Sequence, residues 1–272
     1  MPARQTVPGP APAPFVQCVT ADNPSGMTLS GTNTYLIGAP GAETVVVVDP
    51  GPASTAQEHL RNVLAAADGR RVELILATHR HEDHTGAIDV FHEATGAPVR
   101  AHLEEHCRGG GRPLQDGDRI VKADTVIEAI HTPGHTSDSF CFMVPSAGAD
   151  GSVLTGDTIL GAGTTMLDHP DGTLADYLGS LQRLRELGDA TVLPAHGPVL
   201  PSVAAIAQEY TDHRKERVQQ VRGLLAGLPE GQAAEATPDQ LAEQVYPGLE
   251  GTVKQVAAVT MAATLDYVRA TA

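Results

Sequence analysis

Three histidines and one aspartate lie within six consecutive positions, in the segment Thr78-His79-Arg80-His81-Glu82-Asp83-His84. The apolar run 72–77 directly precedes them and predicts a buried strand that ends in a tight loop. Alternate residues of an extended chain point the same way, so we expect His79 and His81 to bind one metal ion. Asp83 and His84 follow at the start of the next predicted helix and would bind a second ion. The segment therefore predicts a site for two adjacent cations.

Two complete coordination shells need more donors, and three later segments each place one after a short strand. His135 follows the alternating strand 124–130 and a Pro-Gly turn. Asp157 follows the apolar strand 152–155, and its two carboxylate oxygens suit a bridge between cations. A third strand of this kind precedes His196. The predicted ligands are His79, His81 and His135 for the first ion, Asp83, His84 and His196 for the second, and Asp157 shared between them.

Strand and helix patterns alternate through about residue 189, which indicates an α/β domain. The run 45–48 predicts a buried strand, and the segment 54–57 predicts a capping box in which Ser54 begins a helix. The buried face of that helix is predicted to consist of Leu60, Val63, Leu64 and Ala67. Three further helices are predicted after residue 203, two of them with N-caps at Thr237 and Thr252. At 272 residues, the chain can form one substantial core and a small appendage.

The net charge of −15 argues against broad capture of nucleic acid, because phosphate contacts require clustered Lys and Arg. One basic cluster lies on a predicted helix whose Val218, Val221 and Leu225 face inward, and a solvated helix face explains it. Its members are Arg214, Lys215, Arg217 and Arg222.

The 3 cysteines are odd in number and widely spaced, so neither a disulfide framework nor a thiolate zinc site is indicated. We therefore expect a reduced, cytoplasmic location. No apolar run approaches the roughly 18 residues of a membrane span. Residues 1–14 are rich in Pro and Ala, lack the apolar core of a signal peptide and predict a disordered arm.

The ordered motifs between Tyr35 and Gly197 resemble those of the metallo-beta-lactamase superfamily. Three segments also resemble the beta-lactamase-like protein 2 family, and this likeness spans nearly the whole chain; they are 23–36, 132–136 and 156–165. Glyoxalase II shares the metal motifs but is less similar outside them. The resemblance implies a four-layer αββα sandwich with a two-metal cleft at one edge of the sheets.

The same resemblance implies a small, winged-helix-like appendage at the C-terminus. We expect its wing to be missing, because the sequence ends at Ala272 before the hairpin that would form it. The expected organisation is an arm over 1–14, a catalytic domain over 15–202 and a helical C-terminal domain over 203–272. An apolar stripe on the last helix would pack against the catalytic domain or against a second subunit in a homodimer. It consists of Val253, Val256, Ala257, Met261, Leu265 and Val268.

Histidine nitrogen and carboxylate oxygen without thiolate favour zinc, so we expect two Zn²⁺ per chain, while the affinity order leaves iron and manganese open. A hydroxide that bridges two ions about 3.5 to 4 Å apart is a nucleophile near neutral pH. Asp83 would accept or pass the proton of this nucleophile.

The substrate is predicted less directly than the metal site. The pair Asn33 and Thr34 and the loop 161–169 are candidates to line the cleft. The predicted substrate contacts are Asn33, Thr34, Thr164, Thr165 and His169, and both His131 and His169 are candidate proton carriers.

Three functions remain open from the sequence. The leading one is hydrolysis of a small acyl compound, a thioester or an ester. The second is a metal-dependent endoribonuclease for single strands, which the resemblance implies for some relatives and which the charge opposes. The third, which the resemblance implies for some members of the superfamily, is a mononuclear iron oxygenase that uses His79, His135 and Asp157. A true beta-lactamase is disfavoured, because such enzymes carry, by resemblance, Cys or Ser at the position of Asp157.

Overall fold

The computed structural model describes residues 15–229 and 231–271, so the arm predicted for residues 1–14 lies outside the described residues. Two five-stranded sheets form its centre. The first sheet has the order β1-β2-β3-β4-β5, with β1 Val16–Thr20, β2 Asn33–Ile37, β3 Thr44–Val48, β4 Arg71–Leu76 and β5 Val99–Arg100. The second has the order β10-β9-β8-β7-β6, with β6 Arg119–Lys122, β7 Thr125–His131, β8 Phe140–Val144, β9 Ser152–Gly156 and β10 Thr191–Pro194.

Parallel pairing occurs where the predicted metal ligands follow the strands. In the first sheet β3 and β4 run parallel, and in the second sheet β9 and β10 do. Parallel strands end at the same edge of a sheet, so each pair delivers the residues that follow it to one place. Strand β3, with the sequence TVVVV, is buried along nearly its whole length, as is typical of a strand covered on both faces.

The helices are α1 Ala56–Ala67, α2 Glu82–Thr85, α3 Ile88–Thr95, α4 Leu174–Arg185, α5 Val203–Ala226, α6 Gln232–Glu235, α7 Pro238–Val245 and α8 Gly251–Ala270, and the longer ones cover both outer faces of the paired sheets. A central hydrophobic cluster lies between the sheets, where Val46 and Leu76 of the first share it with Phe142 and Leu154 of the second. Helices α1 and α3 pack on the first sheet, whereas α4, α5, α7 and α8 share a cluster with the second. This layering confirms the predicted αββα sandwich and its C-terminal helices.

The start of α1 differs from the prediction. Residues Ala53–Thr55 form a 3-10 turn, and α1 begins at Ala56 without a side-chain cap, so the capping box at Ser54 is wrong. The Ala53 amide instead donates to the Glu82 carboxylate at 2.8 Å, which satisfies this end of the helix from a distant side chain. Leu64 is 39% exposed, and the fully buried face carries His59 in its place.

The C-terminal helices confirm one predicted cap and correct another. Thr237 and Gln240 form the complete capping box at the start of α7. Helix α8 begins at Gly251, two residues earlier than predicted, so Thr252 lies in its first turn and is not the N-cap. In the apolar stripe of α8, the C-terminal members Met261, Leu265 and Val268 are buried, whereas Val253 is exposed. No helix among the described residues is both long and apolar enough to cross a membrane.

Candidate metal centre

The first predicted ligands form a compact triangle of imidazole nitrogens, here called the three-histidine set (His79, His81 and His135). The Nε2 atoms of His79 and His135 are 3.2 Å apart, and each lies 3.1 Å from Nδ1 of His81. A neutral imidazole presents either one N–H or one lone pair at each nitrogen, so three converging nitrogens cannot all pair with one another. One cation at the centre of the triangle would satisfy all three lone pairs.

The second predicted ligands, here called the mixed set (Asp83, His84 and His196), lie beside the first. Oδ2 of Asp83 is 3.2 Å from Nε2 of His196 and 3.5 Å from Nε2 of His84. The short helix α2 begins directly after His81 and carries both Asp83 and His84. Nε2 of His84 is buried and has no hydrogen-bond partner among the described residues, so this nitrogen is free to coordinate an ion.

Asp157 lies between the two sets. Its Oδ2 is 3.7 Å from Nε2 of His135, and its Oδ1 is 3.3 Å from His196 and 3.5 Å from His84. Oδ1 is also buried without a hydrogen-bond partner in the described part of the chain. Gly156 permits this approach, because its φ is +49° and a Cβ there would lie 2.8 Å from Cβ of Thr78. The carboxylate thus faces both sets, as a bridging ligand requires.

Partners behind the imidazoles determine which ring nitrogen carries the proton. Nδ1 of His84 donates to Asp49 at 2.9 Å, and Nε2 of His81 donates to Asp168 at 3.2 Å. His135 and His196 donate through Nδ1 to main-chain oxygens of Met166 and Gly31. In each of these four rings the other nitrogen therefore faces the site.

Sequence reasoning missed Asp49, whose side chain is 2% exposed. It follows β3, while Thr78 follows the parallel neighbour β4, and its carboxylate accepts from the Thr78 amide at 2.7 Å as well as from His84. An Asp-Pro-Gly turn after a fully apolar strand was the available signal. Its contact with the metal motif depends on the pairing of β3 with β4, which the sequence does not state.

The two sets differ in electrostatics. Burial and the imidazoles of His84 and His135 lower the pKa of His79, and burial likewise lowers the pKa of His135. Burial also acts to lower the pKa of His84, but the carboxylates of Asp83 and Asp49 outweigh it and raise that pKa. Burial therefore favours the neutral form of His79 and His135, whereas the carboxylates of the mixed set favour positive charge on His84.

The predicted substrate contacts occupy different environments. The side-chain amide of Asn33 donates to the main-chain oxygens of Pro194 and Gly197, at 3.0 Å each. Thr34 is fully buried, and its hydroxyl donates to the Asp49 main-chain oxygen and lies 2.6 Å from Nε2 of His59. Both side chains thus connect strand ends behind the mixed set and have no free polar atom for a substrate.

The loop after Asp157 is divided between buried and exposed residues. Thr165 is buried, with its hydroxyl 3.3 Å from Nδ1 of His135, whereas Thr164 is exposed. His169 contacts Asp266 of α8 at 2.8 Å. Farther along the sheet edge, Nε2 of His131 lies 2.9 Å from the Ser137 main-chain oxygen.

The prediction that the basic face of α5 is solvated is wrong for Arg214 and only partly right for Arg217, whose side chain is 16% exposed. Arg214 is only 2% exposed and donates to the main-chain oxygen of Thr165, because the loop 160–166 covers this side of the helix. Lys215 is exposed, as predicted. Val218 and Val221 are buried, which also agrees with the prediction.

Comparisons with known proteins agree with this fold and site. Residues 27–196 match the model of the metallo-beta-lactamase superfamily. The chain is 35% identical to the lactamase-like protein vrtG of Penicillium aethiopicum, over 86% of this chain and 74% of that protein. The chain therefore belongs to the metallo-beta-lactamase superfamily and is a metal-dependent hydrolase.

Two further relatives are similar to this chain over most of its length. The chain is 32% identical to the beta-lactamase-like protein 2 homolog of Caenorhabditis elegans, over 84% of this chain and 75% of that protein. It is 34% identical to an atrochrysone carboxyl ACP thioesterase of Aspergillus fumigatus, over 77% of this chain, and it spans 64% of that protein's length.

Solved structures show the same architecture. A metallo-beta-lactamase family protein from Thermus thermophilus superposes with a TM-score of 0.77 at 25% identity, covering 95% of this chain and 94% of that one. A protein solved in a di-iron-bound form has a TM-score of 0.53 at 25% identity, covering 68% of this chain and 96% of that one.

Proposed function

We propose that this chain is a binuclear zinc hydrolase that cleaves a small acyl thioester or ester. The observation that carries the proposal is Asp157, whose two oxygens face the three-histidine set and the mixed set. The thioesterase name of one relative supports the choice of an acyl substrate.

Residues at the centre fit two zinc ions. The donors are imidazole nitrogens and carboxylate oxygens without a thiolate, and they form overlapping clusters around Asp157 and the histidines. The buried, unpartnered atoms His84 Nε2 and Asp157 Oδ1 are where ligand bonds to a second ion would form. The di-iron form of a structurally similar protein supports two ions in such a cleft, while the donor types support zinc. When bound, such a pair supplies activation of water near neutral pH and polarisation of the acyl oxygen.

Asp83 is the residue that we assign to proton transfer. Its side chain is 26% exposed, and Oδ2 faces His84 and His196, which leaves Oδ1 for a proton from the attacking water. Burial opposes ionisation, but His84 and His196 hold the pKa of Asp83 well below its usual range. Asp83 therefore stays an anion at neutral pH and relays the proton without storing it. The C–S or C–O bond of the substrate breaks, a C–O bond to the water oxygen forms, and the proton passes to the leaving sulfur or oxygen.

Charge favours a small acyl substrate over a polyanion. The chain carries a net charge of −15. Arg80, the cation next to His81 in sequence, is already paired with Asp168 at 2.6 Å and with Asp171 at 2.5 Å. Its guanidinium is thus not free to hold the phosphates of a nucleic acid strand.

Parallel assays on the zinc-loaded protein test the proposal, with an acyl-N-acetylcysteamine thioester and an unstructured RNA as substrates. We expect thioester turnover that changes less than about twofold between low and moderate salt, because few ionic contacts are involved. An enzyme that contacts several phosphates would lose affinity steeply, with a log-log slope of about −0.7 per phosphate for single strands.

The variant Asp83→Ala should lose thioester turnover. Asp89→Ala is the matched control, because Asp89 has the same charge and a 65% exposed side chain. Salt-sensitive RNA cleavage that disappears in Asp83→Ala, with thioesters left intact, would refute the acyl hydrolase and identify an endoribonuclease.

A further inference from the structure

Arg214 is a buried cation in an acidic protein, and the part of the chain that the structure describes places no carboxylate against it. Its guanidinium donates to a single main-chain oxygen, that of Thr165, and Nε has no hydrogen-bond partner among the described residues. The guanidinium carbon lies 5.4 Å from the centre of the Tyr177 ring. Removing a charge from water without a counter-ion is unfavourable, so a specific role for this position is expected.

The loop that Arg214 contacts also forms hydrogen bonds with His135, a predicted metal ligand. Nδ1 of His135 donates to the main-chain oxygen of Met166 at 2.7 Å, and the hydroxyl of Thr165 lies 3.3 Å from the same nitrogen. Two consecutive carbonyl groups of this loop are therefore fixed, that of Thr165 by Arg214 and that of Met166 by His135. The position of the loop backbone at these two residues determines where Nε2 of His135 points.

Tyr177, which lies under the Arg214 guanidinium, contacts the backbone next to two predicted metal ligands, His135 and Asp157. A Cβ on Gly134, which precedes His135, would lie 2.4 Å from Cα of Tyr177, so the chain presses closely against α4 there. The Tyr177 hydroxyl donates to the main-chain oxygen of Thr158, the residue after Asp157, at 2.8 Å. Arg214 thus lies over the ring of a residue whose backbone presses against Gly134, beside His135, and whose hydroxyl bonds to Thr158, beside Asp157.

We propose that Arg214 is a positioning residue for the metal centre, through which helix α5 fixes the direction of His135. This inference rests on the proposed function only in that it assumes a metal ion at the three-histidine set. The C-terminal helices would then contribute to metal binding, whereas the sequence predicted only a solvated basic face for α5.

Zinc affinity without substrate tests the inference. Competition with a chelator should show that Arg214→Met weakens one of the zinc ions about 10- to 100-fold, the usual effect of removing a group behind a metal ligand. Lys215→Met is the matched control, because it removes the same charge from an exposed neighbour on the same helix, and its zinc affinities should stay within about twofold of those of the wild type. In ¹⁵N-histidine NMR spectra of the zinc-loaded proteins, the His135 Nδ1–H signal should move only in Arg214→Met.

A folded Arg214→Met with both zinc affinities unchanged would overturn the inference, even if its melting temperature were lower, because that result describes a purely structural role. If Arg214→Met does not fold, Arg214→Lys decides. Lysine keeps the charge but cannot stack a planar group on Tyr177, so we expect a loss of about threefold or more, and an unchanged affinity would again overturn the inference. A wild type that binds two zinc ions but leaves thioesters intact would refute the proposed function alone.

Discussion

The three-histidine set and the mixed set lie side by side, yet different parts of the molecule hold them. Behind the mixed set, His84 donates to Asp49, which is 2% exposed and lies at the end of a central strand. Behind the three-histidine set, His81 donates to Asp168, whose side chain is 31% exposed, and His135 donates to the loop oxygen of Met166. The anionic partner of His84 is therefore buried at the end of a sheet strand, whereas the partners of His81 and His135 belong to the loop after Asp157.

This difference predicts different tolerance to change. Strand ends in a buried sheet are fixed by packing on both faces, so loss of a partner there cannot be absorbed by movement. Loops are more mobile and can adjust around a substitution. We therefore expect the mixed set to depend steeply on its buried carboxylate and the three-histidine set to depend on how firmly its loop is held.

Asp157 is the one residue that both sets share, so its loss should have the largest effect. Asp157→Ala should lower hydrolysis by several orders of magnitude while the fold is kept, because a metal pair contributes several kcal/mol to the transition state. Metal analysis of the same variant should show that the ion of the mixed set is lost first. Full occupancy of both sites in Asp157→Ala would show that this carboxylate is not a bridge.

His59 makes the wall behind the mixed set sensitive to acid. Burial lowers the pKa of His59 to about 4 from 6.5, and its Nε2 donates to the Thr34 hydroxyl. In the unfolded chain the imidazole of His59 is protonated near pH 6.5, whereas in the folded protein it stays neutral until about pH 4. The free energy of unfolding therefore falls as the pH drops from 6.5 to about 4. The share lost to His59 is at most roughly 3 kcal/mol.

Urea unfolding between pH 7 and pH 4 measures that share. The variant His59→Asn keeps a polar group near Thr34 but does not titrate, so its free energy of unfolding should fall less steeply with acid than that of the wild type. Parallel pH profiles for the two proteins would mean that His59 is not held neutral by burial.

Asp49 and Asp168, the carboxylates behind His84 and His81, test whether the two sets differ in their support. Asp49→Asn should weaken one zinc ion about 10- to 100-fold, because the buried His84 loses its anionic partner. Asp168→Asn should change zinc affinity by less than about threefold, because this carboxylate is partly solvated and its pairs are weak. Equal losses in the two variants, measured by chelator competition, would remove the distinction between a sheet-held set and a loop-held set.

The convergence of the seven candidate ligands could be predicted because local patterns carry these residues. The segment 79–84 holds four of them, and each of the other three follows a short strand and a turn. The structure brings these seven residues together in overlapping clusters, and Asp157 lies between the two sets. The layered fold was also accessible, since alternating strand and helix patterns and the family resemblance both indicate it.

Features that depend on pairing between distant segments could not be predicted. Asp49 meets His84 only because β3 and β4 are parallel neighbours. Arg214 was placed on a solvated face because helical periodicity shows which residues share a side of α5 but not that the loop 160–166 covers it. The segment 54–57 has the residue types of a capping box, yet no such box forms. The Ala53 amide donates instead to the Glu82 carboxylate, which is distant in sequence.

Metal analysis of protein purified without chelator distinguishes a two-zinc hydrolase from an iron enzyme. We expect close to two zinc ions per chain, because the three-histidine set and the mixed set each offer three donors and Asp157 faces both. One iron per chain, together with oxygen consumption when a persulfide is supplied, would contradict the hydrolase and identify a mononuclear oxygenase built on His79, His135 and Asp157.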